Sequence, residues 1–275
     1  MRTVSQRQLG ILRKLKRKKY REQFGLFIAE GWHTLEQIAE NKVLPIQEVY
    51  LTNDHIDSAE WQKLLKLGIP EDRCFVLSNS DAAEVSDTEQ SSGWLATIQI
   101  PKPTELNSLI HAGVATKGDE PEGSTRKIFI ALDEIQDPGN LGTILRTAVW
   151  MGVEGVIFGK GCVDAWNPKV VRSTVGASGM IPYVSGELAE LLPNFESKGW
   201  NIGILEGSDR AEPLSNPLET GAFIWVVGNE SRGISEDVRA LGYKEYRIES
   251  TGKGVESLNA AMALGIALYR TVNFS

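Results

Sequence analysis

The second half of the chain carries five short, nearly uninterrupted runs of aliphatic, β-branched and aromatic residues: "KIFIALDEI", "GVEGVIFG", "NIGILEG", "GAFIWVVGNE" and "EYRIES". Runs of this kind leave no polar face for solvent, so each reads as a strand covered on both sides. Between them stand helical patterns such as "NLGTILRTAVWMG" and "ELAELLPNFESKG". Buried strands alternating with amphipathic helices build a parallel sheet with flanking helices. The expected fold is therefore α/β, closed by one long Ala- and Leu-rich helix over "VESLNAAMALGIALYRTVN". In open sheets of this type ligands gather beyond the carboxyl ends of the strands. The residues just after each run are the place to look for chemistry.

The first hundred residues alternate on a smaller scale. "FGLFIAEG", "IQEVYLT", "CFVLS" and "LATIQI" read as strands, "WHTLEQIAEN" and "SAEWQKLLKLG" as helices, which predicts a separate small α/β domain. Thr116 to Thr125 is polar and rich in Gly, Glu and Pro, the composition of a linker or exposed loop. A length of 275 residues accommodates two domains. The expected division is 1–105, a linker over 106–126, and 127–275.

Charge separates the two halves. The net charge of −7 splits into +9 over "MRTVSQRQLGILRKLKRKKYR", which has no acid, and −16 over the rest. Basic segments of this kind commonly meet phosphates, and nucleic-acid contact is the reading composition favours. Leu9, Leu12 and Leu15 also fall on a helical stripe, so a solvated helix face remains open. An Arg-rich transit peptide is disfavoured by the folded pattern that follows at once. No apolar run is long enough to span a bilayer, so no membrane segment is expected. Cys74 and Cys162 lie far apart, without CxxC spacing, and His33, His55 and His111 are scattered. They argue against a disulfide framework or a metal site and fit a reducing compartment, read as the cytoplasm.

Three strand ends stand out. After "KIFIALDEI", a helix starting near Asn140 would be capped by that residue, with Leu141, Ile144 or Leu145, and Ala148 on its core stripe. Arg146 falls off the stripe, and Gly142 lies one turn beneath it, leaving room for a ligand near the guanidinium. From this stretch alone, a capped helix with one solvated arginine is the favoured reading. In "VVGNESRGIS" a buried strand runs into Gly228, Asn229, Glu230 and Gly233. In "RIESTGKGVESLNAAMA" a glycine loop precedes a helix whose first turn would hold Glu256, Ser257 and Asn259. "STGKGVES" does not meet the P-loop pattern, and no G-x-G-x-x-G follows the first strand of this half. A nucleotide-dependent dehydrogenase is excluded on that ground.

Together and in this order, the three stretches resemble the SPOUT superfamily of RNA methyltransferases, specifically the SpoU/TrmH-type ribose 2′-O-methyltransferases. N-x-G-x-x-x-R is met by Asn140, Gly142 and Arg146. Strand-G-N-E-x-x-G is met by Gly228, Asn229, Glu230 and Gly233. S-L-N before a small-residue helix is met by Ser257, Leu258 and Asn259. Between them, "VVRSTVGASGMIPYV" is similar to the family's small-residue stretch before a Pro-containing strand. The resemblance runs from about Lys127 to the C-terminus. The preceding part is similar to the ribosomal-protein-like α/β domain that binds substrate RNA in such enzymes. Two departures are Ile248-Glu249 where the family has Ile-Pro, and a loop from Gly252 to Glu256 that is one residue longer than usual.

The resemblance implies methyl transfer from S-adenosylmethionine to a ribose 2′-hydroxyl, in rRNA by preference and tRNA as the alternative. It also implies a deep C-terminal trefoil knot and an active site shared across a homodimer. By correspondence, Leu205, Gly228, Ile248 and Leu258 are expected at the cofactor, largely through backbone groups. Arg146, Asn140, Glu230, Ser257 and Asn259 are expected at the reacting centre. Arginine's very high pKa favours phosphate clamping by Arg146 over proton abstraction. Asn140, Ser257 and Asn259 would bond the ribose and shape the loops, and Glu230 would order the second motif. A non-catalytic RNA-binding protein on the same fold is the rival from another class, and the intact motifs speak against it.

Overall fold

The computed structural model describes residues 1–112, 126–208, 210–252, 254 and 257–273. The chain divides into two compact units, Met1–Lys102 with Asp164–Met180, and Pro103–Val163 with Ile181–Ser275.

In the first unit, β1 (Arg2–Thr3), α1 (Gln6–Leu15), α2 (Lys18–Phe24), β2 (Leu26–Glu30), α3 (Trp32–Asn41), β3 (Ile46–Thr52), α4 (Ala59–Lys66), β4 (Cys74–Leu77), α5 (Asn79–Val85) and β5 (Trp94–Gln99) follow in order. The strands form a mixed sheet, β1-β4-β3-β5-β2. β3 runs parallel to β4 and antiparallel to β5. The basic N-terminal segment is a folded part of this unit. Ser5 and Gln8 form a capping box at the start of α1. Leu9, Leu12 and Leu15 are buried beside Ile28, Tyr50 and Leu95. Several of its nine cations serve the fold. Arg2 donates to the Asp72 carbonyl, Arg13 pairs with Glu84 at 2.7 Å, and Lys16 donates to the carbonyls of Glu84 and Ser86.

The second unit contains α6 (Leu106–Ala112), β6 (Ile128–Leu132), α7 (Pro138–Trp150) and β7 (Gly155–Gly159). The chain then forms α8 (Pro168–Thr174), β8 (Tyr183–Gly186), α9 (Leu188–Glu196), β9 (Asn201–Leu205), β10 (Glu212–Pro213), β11 (Phe223–Val227), α10 (Glu236–Arg239), β12 (Lys244–Arg247) and α11 (Ala260–Asn273). The helix α8 belongs to the first unit, a departure from the expected division at 106–126. Val171 is fully buried with Phe27, Leu51 and Trp94. Asp164 takes hydrogen bonds from Nε (2.9 Å) and Nη2 of Arg21. Arg21, 3% exposed, also donates from Nη1 to the carbonyls of Leu15 and Lys16.

All seven strands of the second sheet are parallel, in the order β10-β12-β9-β11-β6-β7-β8. On one face Ile224 and Val226 of β11 pack with Leu192 and Phe195 of α9 and Val238 of α10. On the other, the Trp225 indole N–H donates to the Thr271 hydroxyl of α11 at 2.8 Å. Between β6 and β9 the winding reverses. β6, β7 and β8 step toward one edge, and the chain then returns to the other side of β6, which creates the switch point where such sheets bind ligands. No helix among the described residues is long and apolar enough to cross a membrane.

Candidate active site at the strand ends

The register sets the site. Val227 lies opposite Leu132 on one side and Leu205 on the other, and Tyr246 lies opposite Leu205. The carboxyl ends of β6, β11, β9 and β12 are therefore level. Gly228 and Ile248 follow β11 and β12 directly, and Leu205 ends β9.

The first loop differs from the sequence expectation in one residue's role. α7 begins at Pro138, and its N-cap is Asp137, whose carboxylate accepts the Asn140 N–H at 2.8 Å. A carboxylate followed by proline is the stronger helix start, because proline presets φ and lacks the N–H that would need a partner. Asn140 therefore does not cap the helix, and its side chain is free for another purpose. Its amide N–H donates to Glu230, and its amide oxygen accepts from the Asn259 side chain at 2.8 Å. One asparagine thus links all three motifs.

The second motif is a tight loop. Asn229 and Gly233 exchange both backbone hydrogen bonds, at 2.9 and 2.8 Å. A Cβ at Gly228 would lie 2.4 Å from the Gly233 carbonyl oxygen, so only glycine fits. Gly233 has φ +70°, a left-handed conformation that glycine adopts without strain. Asn229, 8% exposed, orders the loop from within. Its oxygen accepts the N–H groups of Ser231 and Arg232, and its amide donates to the Glu134 carbonyl. Buried Asp133 accepts the Ser235 N–H at 2.7 Å. Glu230, by contrast, is exposed and contributes by reaching Asn140. Sequence reading missed Asp133 and Asp137. The Asp-Pro pair was a usable signal for the second, whereas nothing local distinguishes Asp133.

The third motif also differs from expectation. α11 starts at Ala260, with Asn259 before it accepting the N–H groups of Ala261 and Met262 at 3.0 and 3.3 Å. Ser257 and Asn259 precede the helix instead of forming its first turn. Glu256, Lys253 and Val255 lie outside the described residues, and with them the longer loop. Leu258 is 48% exposed. Glu249, the other departure, is exposed and accepts a hydrogen bond from the Ser215 hydroxyl. That bond holds its carboxyl below the ordinary range.

Arg146 is exposed and makes no hydrogen bond or ion pair among the described residues. Six residues along a helix from Asn140 means about 9 Å of rise and about 240° of rotation. The structure therefore does not bring Arg146 into the Asn140–Glu230–Asn259 cluster of its own chain. Gly142 is buried. Behind β6, the Cys162 thiol donates to the Leu132 carbonyl, and burial pushes it up to about 11, too high for a nucleophile. No group of three or more His, Cys, Asp or Glu among the described residues is placed to hold a metal ion.

For a cofactor, the strand ends offer half-buried apolar side chains at Leu205 and Ile248 and an exposed one at Leu258. The backbone groups of Ile248 and Leu258 have no hydrogen-bond partner among the described residues. Apolar walls beside backbone N–H and C=O groups suit a flat heteroaromatic base with polar edges.

The second unit is thus a parallel sheet with three linked polar loops at its switch point. Residues 127–269 match the model of the SpoU rRNA Methylase family, and residues 8–96 match an MRM3-like substrate binding domain. The chain belongs to the SpoU rRNA methylase family. Among its relatives is the 23S rRNA (guanosine(2553)-2'-O)-methyltransferase RlmP of Bacillus subtilis, 27% identical over 94% of this chain and 92% of that protein. A putative RNA methyltransferase of the TrmH family from Porphyromonas gingivalis superposes with a TM-score of 0.79 at 28% identity, over 99% of this chain and 100% of that one. The SpoU methyltransferase AviRb of Streptomyces viridochromogenes, solved with AdoMet, has a TM-score of 0.78 over 98% of this chain and 97% of that one. At 20% identity, its likeness concerns the fold.

Proposed function

We propose that the chain methylates a ribose 2′-hydroxyl of RNA, with rRNA as the substrate, as in RlmP, and S-adenosylmethionine as methyl donor. The observation that carries this reading is the contact of Asn140 with both Glu230 and Asn259, which ties the three family motifs together at the strand ends. Leu205, Gly228, Ile248 and Leu258 would hold the cofactor, whose sulfonium supplies the methyl group. Asn140, Ser257 and Asn259 orient the ribose, and Glu230 keeps Asn140 in place. Alignment of the hydroxyl is the main demand, because the sulfonium needs only an in-line attacker. Arg146 clamps the neighbouring phosphate and stabilises the charge that develops on the hydroxyl oxygen.

Because Arg146 lies apart from Asn140 on the same helix, it serves the site of a second copy. A homodimer is supported by an apolar stripe on α11. Met262 (60%), Ile266 (39%) and Tyr269 (53%) are exposed there at helical spacing, and Trp150 at the end of α7 is 86% exposed. Soluble monomers rarely leave such a stripe to water. The C-terminal segment is read as knotted, and the position of β12 between β10 and β9 supports that reading. The first unit binds the RNA, and the protein works in the cytoplasm, where its two free cysteines stay reduced.

The test is S-adenosylmethionine binding by calorimetry together with labelled-methyl incorporation into unmodified rRNA and tRNA. No cofactor binding overturns the enzymatic reading, and labelling confined to tRNA overturns the substrate. Arg146→Ala abolishes transfer while leaving cofactor affinity and the dimer nearly unchanged. Unaltered turnover would remove Arg146 from the mechanism. Met262→Asp shifts the sedimenting species to monomer; a persistent dimer would place the interface elsewhere.

A further inference from the structure

The short helix α2 carries a second feature that the methyl-transfer site does not use. Tyr20 and Phe24 stand one turn apart on the same face, with ring centroids 6.2 Å apart and planes 18° from parallel. Phe24 is 36% exposed, and Tyr20 is half-buried. The Lys14 ammonium lies over the Tyr20 ring at 5.6 Å. Arg17, three residues before Tyr20, and Lys19 are exposed and have no partner among the described residues. The single acid of the helix, Glu22, faces Lys18 at 3.8 Å.

The helix is also held rigidly from behind. Arg21, on the buried side, is fixed by Asp164 and by the carbonyls of Leu15 and Lys16. Two near-parallel rings on a fixed support, bordered by cations in an otherwise acidic chain, match what an unpaired nucleotide needs. The ring faces take a base by stacking, and the cations take the flanking phosphates. A duplex keeps its base faces covered and would meet only the cations.

We infer that Tyr20 and Phe24 form a stacking ledge for an unpaired nucleotide of the substrate RNA, with Lys14, Arg17 and Lys19 on the adjacent phosphates. This rests on the RNA-directed reading above but is independent of methyl transfer. The RNA is therefore engaged at a loop, bulge or single-stranded segment.

The experiment uses the full chain without cofactor. The probe is an oligouridylate carrying one 2-aminopurine, compared with a blunt RNA duplex of equal charge. Stacking quenches the probe. Phe24→Ala and Tyr20→Ala are expected to weaken oligouridylate binding about tenfold or more, to remove the quench, and to leave duplex affinity and salt dependence unchanged. Phe24→Leu keeps apolar volume without a π face and behaves as Phe24→Ala, whereas Phe24→Trp retains the quench. Replacing Arg17 and Lys19 by Gln lowers the salt slope by about 1.4, the value for two phosphates on a single strand. The proposal is overturned if Phe24→Leu binds as the unchanged protein does. It is equally overturned if single-stranded and duplex RNA lose affinity together, or if polyglutamate competes as well as RNA. Absence of a quench in the unsubstituted protein, with methylation intact, would sink the ledge alone, while quench without methylation would sink the enzymatic reading alone.

Discussion

Asn140→Asp is the sharpest perturbation of the linked motifs, because it changes one atom and leaves the shape intact. The new carboxylate still accepts from Asn259 but can no longer donate to Glu230. A charge-assisted hydrogen bond contributes about 1.5 kcal/mol at the weak, exposed end of its range. Two carboxylates held about 3 Å apart repel by about 1.4 kcal/mol in water and about 5.5 kcal/mol at an effective dielectric of 20. Glu230 is exposed and can swing away, so the lower values apply, and a net loss of about 3 kcal/mol is expected for the closed loop. That corresponds to about 150-fold faster amide exchange at Asn229 and Gly233, whose N–H groups are bonded only while the loop is closed. The sign of the pH effect follows from like charge raising the pKa of one carboxyl in the folded state. Like-charge repulsion is relieved once the pair shares a proton, so protection recovers as pH falls. Asn140→Ala loses the bonds without adding a charge, and its smaller effect, about tenfold, is flat with pH. Exchange is read by mass spectrometry after correction for intrinsic rates. If Asn140→Asp exchanges as the unchanged protein does at pH 8, or shows no more pH dependence than Asn140→Ala, the Glu230 contact is not formed.

Gly228→Ala should open the Asn229–Gly233 pair at a cost of about 1–3 kcal/mol, because the clashing atoms are backbone and cannot rotate away. Cofactor titration should show lost binding with the sheet still folded, and unchanged affinity would exclude Gly228 from the pocket wall. Asp164→Ala leaves the buried Arg21 guanidinium without its counter-charge, a loss of about 3–5 kcal/mol. The corresponding calorimetric transition should drop by about 10–20 °C, and a smaller drop for Asp164→Asn should show that hydrogen bonding is the greater part. Deletion of Met1 to Arg21 is a poor test of RNA contact, because it removes the buried leucines of α1. Substitution at Arg17 and Lys19 is the clean one.

Most of the secondary structure was legible because its causes are local. Near-continuous apolar runs mark β6, β7, β9, β11 and β12, and alternation of short elements marks β2, α3, β3, α4, β4 and β5. The two-residue strands β1 and β10 were not legible, since nothing in a dipeptide shows that a sheet edge will pair with it. The helix starts were displaced by local competition. Asp137-Pro138 outbids Asn140 as a start, and Asn259 sets the start of α11 by capping it.

The motif residues themselves were readable from their order along the chain, and so was the family they define. What each side chain does was decided only by tertiary structure. Asn140 meets partners 90 and 119 residues away, and no local pattern specifies an encounter at that separation. The same holds for Arg21, which reads as one more cation of a basic arm until Asp164, 143 residues on, closes over it. It holds again for Val171, which the sequence places among the second half's residues and the core places with the first unit. Sequence determined which segments could bury themselves and in what form, because that depends on side-chain periodicity. Tertiary structure decided which polar groups meet, because a hydrogen bond's partner is set by where two distant segments are brought together.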